Sequence, residues 1–229
     1  MLRPFVLAAL LATSATAQEA SAPYIAALDR IGTLPPLTSP ACLSMASDIP
    51  PSQARATIAA SDAAPYVQPF DDAAIDGIVA VFDDAITGTP DAAPLLDQPG
   101  LPVADDIAGI RDFIVEFGLD PDNLVDLSAV YLVMLSIAST GDMTPIQEAR
   151  TFATLRDQIA VSEALCFQLG RALTETPDLR DRLIVRAGLM IDGFEYASRI
   201  GEADAFAAAV SERSGFQLAE RTLTANGLR

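Results

Sequence analysis

A stretch of fifteen almost entirely apolar residues, Leu124 to Ala138, constrains the fold more than any other part of the sequence. The residues there are LVDLSAVYLVMLSIA, and Asp126 carries the only charge. A helix of this length falls short of the roughly 20 residues needed to span a bilayer. Because a helix that is apolar on every side must be covered by other elements, the stretch predicts the central helix of a bundle.

Apolar residues recur at intervals of three and four on both sides of this stretch, which is typical of amphipathic helices. The helices predicted in this way run over Pro23–Ile31, Ile75–Ile86, Val103–Phe117, Ile146–Leu169, Leu179–Phe194 and, more weakly, Ala203–Thr224. The sequence contains no run of alternating β-branched residues between turn residues, so it predicts no sheet. We therefore expect an all-α, single-domain helical bundle of about six to seven helices.

Proline and glycine mark where these helices begin and end. Proline is tolerated at the first helical position after a capping residue, and glycine is favoured just past the last turn. The predicted starts are Asp120-Pro121, Thr144-Pro145 and Thr176-Pro177, and the predicted stops are Gly118, Gly141 and Gly201.

The N-terminal part of the chain is organised differently. Residues 1–17 combine Arg3, an apolar run and small residues at Ala15 and Ala17, which is the pattern of a cleaved signal peptide. Residues 18–69 are rich in proline and predict an irregular covering strap with short helices, one of them near Gln53 to Ala60. We expect residues 70–229 to form the helical domain and the mature chain to have no transmembrane anchor. The expected location is the periplasm or the exterior.

The chain is strongly acidic, with 31 acidic residues and 14 basic ones. Between Asp62 and Asp126 there are 15 acids and one arginine, Arg111. Such a field repels phosphate backbones and anionic bilayers. We therefore expect no nucleic-acid partner.

Missing residue types restrict the chemistry further, because the sequence contains no histidine and no lysine. Histidine-dependent triads, imidazole zinc or haem ligands, Schiff bases and P-loop lysines are thereby excluded. The sequence therefore favours a protein without catalytic, cofactor-binding or metal-binding residues.

Carboxylates leave two alternatives open. A pair of them could hydrolyse a glycosidic bond of peptidoglycan, and the candidates are Glu116, Asp126 and Glu195. Glu195 is expected to pair with Arg199 instead, because the two lie four residues apart.

Clustered acids could instead bind calcium. The candidates are Asp71, Asp72, Asp83, Asp84, Asp105, Asp106, Asp120, Asp122 and Asp126. Counted from Asp120, an EF-hand loop would place Val125 where it needs glycine and Tyr131 where it needs a bidentate acid. Alternatively, these acids lie on solvent-exposed helix faces or cap the first turns of helices.

Three arginines of one predicted helix, Arg180, Arg182 and Arg186, could hold an anion, but Asp178 and Asp181 lie among them. We expect structural ion pairs there, such as Asp178 with Arg182. Gly188 and Gly193 in the same helix predict close approach by a neighbouring helix.

Cys42 and Cys166 are the two cysteines of the chain. An even number in an exported protein favours a disulfide, which would clamp the N-terminal segment to the helical body. Two separately buried thiols are the alternative.

Two segments carry a resemblance to known proteins: FGLDPDNLVDLSAVYLVM (Phe117 to Met134) and AGLM (Ala187 to Met190), the latter followed by Gly201 and an alanine-rich last helix. With them the chain resembles an uncharacterised group of exported helical proteins of proteobacteria, a domain of unknown function. The likeness covers roughly Pro69 to the C-terminus. It implies a periplasmic all-α domain and assigns no catalytic residue. We therefore expect an exported, non-catalytic domain that acts through contacts with a protein partner.

Overall fold

The computed structural model describes residues 22–32, 34–35, 37, 39–47, 49, 53, 66–67, 69–87, 104–142, 144–147, 149–214, 223–224 and 226–228. These residues form a helical bundle with one small antiparallel hairpin, which confirms the all-α prediction. The helices are α1 (Ala22–Ile31), α2 (Pro40–Ser47), α3 (Asp72–Thr87), α4 (Ala104–Glu116), α5 (Leu124–Thr140), α6 (Thr144–Gln147), α7 (Ala149–Cys166), α8 (Gln168–Glu175), α9 (Leu179–Ile200) and α10 (Ala203–Arg213). The strands are β1 (Leu223–Thr224) and β2 (Gly227–Leu228).

Helix α5 is the centre of the bundle, as its sequence predicts. Leu124 and every residue from Asp126 to Ala138 are buried. Helices α7, α9 and α10 pack around it. Asn123 caps its start by accepting a hydrogen bond from the backbone N–H of Val125 at 2.9 Å. The apolar stretch is therefore covered by protein.

The three glycine stops are confirmed. Gly118, Gly141 and Gly201 all have positive φ angles just past a helix, where a side chain would be strained. The N–H of Gly141 donates to the Ile137 carbonyl at 2.7 Å and so closes the last turn of α5. Local backbone chemistry sets these helix ends.

Two of the three predicted starts are displaced. Asp120-Pro121 begins a turn, in which the Asn123 N–H donates to the Asp120 carbonyl at 3.0 Å, and α5 starts only at Leu124. Thr176-Pro177 likewise begins a turn ahead of Leu179. Proline pre-sets the φ of a turn as well as it does that of a first helical turn. Thr144-Pro145 does start a helix, α6.

The helix predicted over Ile146–Leu169 is wrong as one element. It is divided among α6, α7 and α8, and Phe167 separates the last two. The weak helix predicted as far as Thr224 ends at Arg213, and part of its span forms the hairpin. The predicted helix near Gln53 lies almost wholly outside the described residues, as do the signal peptide and its cleavage site.

The N-terminal segment is more than an irregular strap, because α1 is part of the core. Tyr24, Ala27, Leu28 and Ile31 are all buried. Helix α1 packs on α3, α9 and α10. Burial of these four side chains ties the segment to the helical body.

Two arginines of α9 stabilise the end of α1. Arg186 donates from Nη1 to the carbonyls of Leu28 and Gly32, both at 2.8 Å. Arg182 donates to the Ile31 carbonyl. The last carbonyls of a helix lack partners within it and carry partial negative charge, so cations are favoured there. The two guanidinium groups of α9 therefore cap the C-terminal end of α1.

The prediction that Gly188 and Gly193 allow close helix approach is confirmed. A Cβ at Gly193 would clash with the Phe206 ring of α10 and would lie 3.1 Å from the Tyr24 ring of α1. A Cβ at Gly188 would lie 3.0 Å from Ile110 of α4. Both glycines let neighbouring elements pack directly against the α9 backbone.

Among the helices described, none is long and apolar enough to cross a membrane.

Candidate functional site

The candidate hydrolase carboxylates do not converge. Glu116 and Glu195 are exposed on α4 and α9. Glu195 forms no ion pair with Arg199, whose guanidinium instead lies 6.0 Å from the Tyr196 ring centroid. The expected surface pair at this position is therefore wrong, whereas the pair between Asp178 and Arg182 is present at 2.9 Å.

Asp126 is buried at the start of α5, but its carboxylate is already used. Its Oδ2 accepts a hydrogen bond from the backbone N–H of Asp120 at 2.8 Å, and its Oδ1 lies 4.0 Å from Arg156 Nε. Burial raises the pKa of Asp126, while the Asp120 N–H and Arg156 oppose that rise. The group holds the turn ahead of α5 in place.

The candidate calcium ligands also serve the backbone. Asp71 Oδ1 accepts from the N–H groups of Ala73 and Ala74 at the start of α3. Asp120 Oδ1 accepts from the Asp122 N–H at 2.9 Å. Within the described ranges no group of three or more acids, cysteines or histidines could hold a metal ion. The side chains of Asp83, Asp84, Asp105 and Asp106 lie outside the described set.

The three candidate arginines of α9 do not gather around one ligand site. Arg182 and Arg186 bind the end of α1. Arg180 is 5% exposed, its guanidinium lies 5.5 Å from the Phe70 ring centroid, and its Nε and Nη1 make no hydrogen bond. Burial lowers the pKa of Arg180, and the charges of Asp181 and Asp122 oppose that fall.

The junction between α7 and α8 is built around a buried acid, Glu163. Its Oε2 accepts from the Leu169 N–H at 2.7 Å, and its Oε1 accepts from the Gly170 N–H at 3.0 Å. The Tyr66 hydroxyl also donates to Oε1 at 2.7 Å. Glu163 thus does for α8 what a capping side chain does from the preceding residue. It fixes the direction of α8 relative to α7.

Phe167 lies at the junction itself and has an unfavourable backbone conformation. Its backbone is left-handed, with φ 53° and ψ 36°, a conformation that costs an L-residue roughly 1–2 kcal/mol. It is the only non-glycine residue with a positive φ among those described. Its side chain is also 66% exposed. A bulky aromatic residue therefore stands where glycine or asparagine would suit the backbone and water better.

A disulfide connects this junction to α2. The Sγ atoms of Cys42 and Cys166 are bonded, and their Cα atoms lie 6.5 Å apart. The Gln158 side chain of α7 also donates to the Leu43 carbonyl of α2 at 3.2 Å. Helix α2 is therefore held against the end of α7 by a covalent bond and a buried hydrogen bond.

Three exposed apolar side chains lie within three residues of the two cysteines in sequence. Leu165 and Phe167 flank Cys166 in sequence, and Met45 follows Cys42 by three residues, on the same side of α2. Leu165 is 45% exposed and Met45 49%. We call Met45, Leu165 and Phe167 the Phe167 patch. The disulfide joins the elements that carry these side chains, and exposed apolar surface marks sites of protein contact where it is contiguous.

The sequence did not single out this patch. The helical period places Leu165 on a buried face, because it treats Ile146–Leu169 as one straight helix. Nothing in the sequence marks Phe167 as left-handed, since phenylalanine disfavours that conformation. The two cysteines were the one local sign that α2 and the end of α7 meet.

No protein-family model, curated protein or solved structure matched the chain. The likeness to exported proteobacterial proteins therefore stays a prediction.

Proposed function

We propose that the protein is exported to the periplasm or secreted, and that it acts there without catalysis by binding a protein partner through the Phe167 patch. The observation that carries this proposal is Phe167, an exposed aromatic side chain on a left-handed backbone. Neither feature benefits the isolated fold. Large aromatic side chains dominate binding energy at protein interfaces. Contact with a partner would therefore account for an exposed aromatic residue at this position.

The arrangement around Phe167 supports a binding role. Glu163 orients α8, and the disulfide orients α2, so the three side chains of the patch are presented on fixed elements. An anchor that is already in place loses little conformational entropy when it binds. The patch is thus built as a preorganised surface.

The carboxylates of the described residues argue against hydrolysis. Catalysis by a carboxylate pair needs one acid and one base facing the same substrate. Asp126, Glu163 and Asp181, three of the buried acids, already accept backbone N–H groups at the turn ahead of α5, at the α7–α8 junction and ahead of α3. Histidine and lysine are absent from the sequence, so the remaining acid–base chemistry is narrow.

Export is supported by the signal-like residues 1–17 and by the cysteine pair, which persists in oxidising compartments. Cleavage there would leave a mature chain that begins at Gln18. The intact mass of protein recovered from the periplasm, measured with and without reduction, tests the cleavage point and the bond together.

Paired purification tests the proposed binding. Tagged wild type, Phe167→Asn and Val115→Asn are recovered from the periplasm under oxidising conditions. Val115 is the matched control, because it is 58% exposed on α4 and far from the disulfide in sequence. Asparagine tolerates the left-handed backbone, so the first variant keeps its fold.

We expect a protein that co-purifies with wild type and with Val115→Asn, and that is lost from Phe167→Asn. Equal recovery with all three chains would contradict the proposal. Clearing of purified peptidoglycan by the wild type, lost on Asp126→Asn, would replace it with the hydrolase alternative.

A further inference from the structure

The disulfide next to Phe167 makes this site sensitive to redox conditions. We propose that the bond between Cys42 and Cys166 is a redox gate: Phe167 binds its partner while the bond is intact, and reduction by a dithiol weakens that binding. This inference rests on the proposed function and adds the regulation of the same site.

The backbone of Phe167 depends on restraints from its surroundings, because its left-handed conformation is disfavoured by roughly 5- to 30-fold. The disulfide fixes Cys166, the residue immediately before it. The Glu163 carboxylate fixes the N–H groups of Leu169 and Gly170, which follow it. One of the two restraints is therefore a bond that a reductant breaks.

A change of φ at Phe167 must turn the end of α7 relative to the start of α8. Burial of Leu169 and Ala172 holds α8 in the bundle. The last turn of α7 is held less firmly, because Leu165 is 45% exposed and Cys166 is only partly buried. The disulfide therefore keeps this turn in place, and once it is cut Phe167 is free to take the negative φ of an ordinary helical residue.

Helix α2 depends on the same bond. It has eight residues, and helices this short need tertiary support to persist in water. Besides the disulfide, its attachment to α7 includes the hydrogen bond from Gln158 to the carbonyl of Leu43, whose side chain is buried. Reduction therefore also weakens the attachment of the helix that carries Met45.

A dithiol reaches the bond from the Cys166 side, because Cys42 is buried whereas Cys166 is partly exposed and lies between two exposed residues. A thiolate of the dithiol attacks Sγ of Cys166, the S–S bond breaks, and Cys42 leaves as a thiolate that takes up a proton. The second thiol of the dithiol then attacks the mixed disulfide and releases Cys166, which also ends as a thiol. The chain gains two electrons and two protons, and the dithiol is oxidised to a disulfide.

NMR spectroscopy of the purified, oxidised chain tests the gate without any partner. Scalar couplings that report the sign of φ at residue 167 are measured before and after reduction with dithiothreitol. We expect a positive φ in the oxidised chain and a negative φ in the reduced one, with the helical circular dichroism kept. In Phe167→Asn the φ should stay positive in both states, because asparagine tolerates the left-handed backbone.

Paired purification with and without dithiothreitol tests the effect on binding. We expect reduction to lower the amount of partner retained by wild type, and by Val115→Asn, at least roughly fivefold. A chain that carries both Cys42→Ser and Cys166→Ser should retain equally little partner without any reductant. That result would show that the loss does not come from reduction of the partner.

A φ that stays positive on reduction overturns the gate, as does a complete loss of helical circular dichroism, because the bond would then support the whole fold. A partner retained equally by oxidised and reduced wild type, but lost from Phe167→Asn, leaves the proposed function standing and shows the gate to be wrong. If φ changes sign but no partner is recovered, the proposed function falls and takes the regulation of binding with it, whereas the redox-dependent backbone remains.

Discussion

Position 167 should reverse the usual order of glycine and alanine in a helical protein. In a helix interior, alanine is more stable than glycine by roughly 0.5–1 kcal/mol. Phe167 is left-handed, with φ 53°. Alanine carries a Cβ into that conformation and glycine does not. We therefore predict that Phe167→Gly is more stable than Phe167→Ala.

The size of the difference follows from two opposing terms. The left-handed conformation costs an L-residue roughly 1–2 kcal/mol. Glycine loses about 0.4–1 kcal/mol more entropy than alanine on folding. Glycine should therefore be favoured by roughly 0.5–1 kcal/mol in net free energy of unfolding. Comparing the two small residues removes the contribution of the aromatic ring, which both variants lose equally.

Urea denaturation of the oxidised protein measures this difference. The matched control is Arg171, an exposed residue in the following helix, α8. There Arg171→Gly should be less stable than Arg171→Ala by about 0.5–1 kcal/mol. If alanine is also the more stable residue at position 167, the left-handed backbone is wrong, and with it the argument that Phe167 is kept for binding.

Three further predictions concern stability. Reducing the bond between Cys42 and Cys166, which lie 124 residues apart, should lower the free energy of unfolding by up to about 4–5 kcal/mol, as measured by urea denaturation with and without reductant; an unchanged midpoint would contradict a native bond. Gln158→Ala removes the side chain that exchanges two hydrogen bonds with the Leu228 backbone and should cost roughly 2–3 kcal/mol, with exchange of the Leu228 amide as the local readout. Burial raises the pKa of Asp126. Protonation of this carboxyl therefore stabilises the folded state fully below the unfolded pKa of about 3.9, and this stabilisation is lost as the pH rises through the higher folded pKa. Relative to Asp126→Asn, the wild type should therefore lose stability over that rise, and parallel pH profiles would refute the shift.

Features that depend on neighbouring residues could be predicted from the sequence. The stretch Leu124–Ala138 specifies a covered helix by composition alone. Gly118, Gly141 and Gly201 end helices because each can adopt a positive φ at little cost. In these places the local preference and the tertiary fold agree.

Features fixed by distant residues could not be predicted. The α7–α8 junction depends on Glu163, Tyr66 and the disulfide to Cys42, and together these outweigh the preference of Phe167 for ordinary helix geometry. The C-terminal hairpin is held by Gln158, whose side chain reaches the Leu228 backbone across 70 residues of sequence. The alanine-rich composition predicted a helix there, and helix propensity takes no account of contacts with distant residues.

The candidate site was missed for the same reason. A helical period assigns Leu165 to the core only if the helix runs straight through Phe167. Once the chain turns at that residue, Leu165 and Phe167 are both exposed. An exposed apolar surface at a helix break depends on the break itself, which has no local sequence mark here.

Photo-crosslinking in living cells tests the claim that Phe167 is a contact residue most directly. A benzophenone amino acid in place of Phe167 keeps an aromatic side chain at the patch, and the same residue in place of Val115 provides the control. We predict a discrete cross-linked species, heavier than one copy of the chain, on irradiation of the first chain and none from the second. Irradiation that leaves position 167 uncoupled, or that couples both positions alike, would contradict the account.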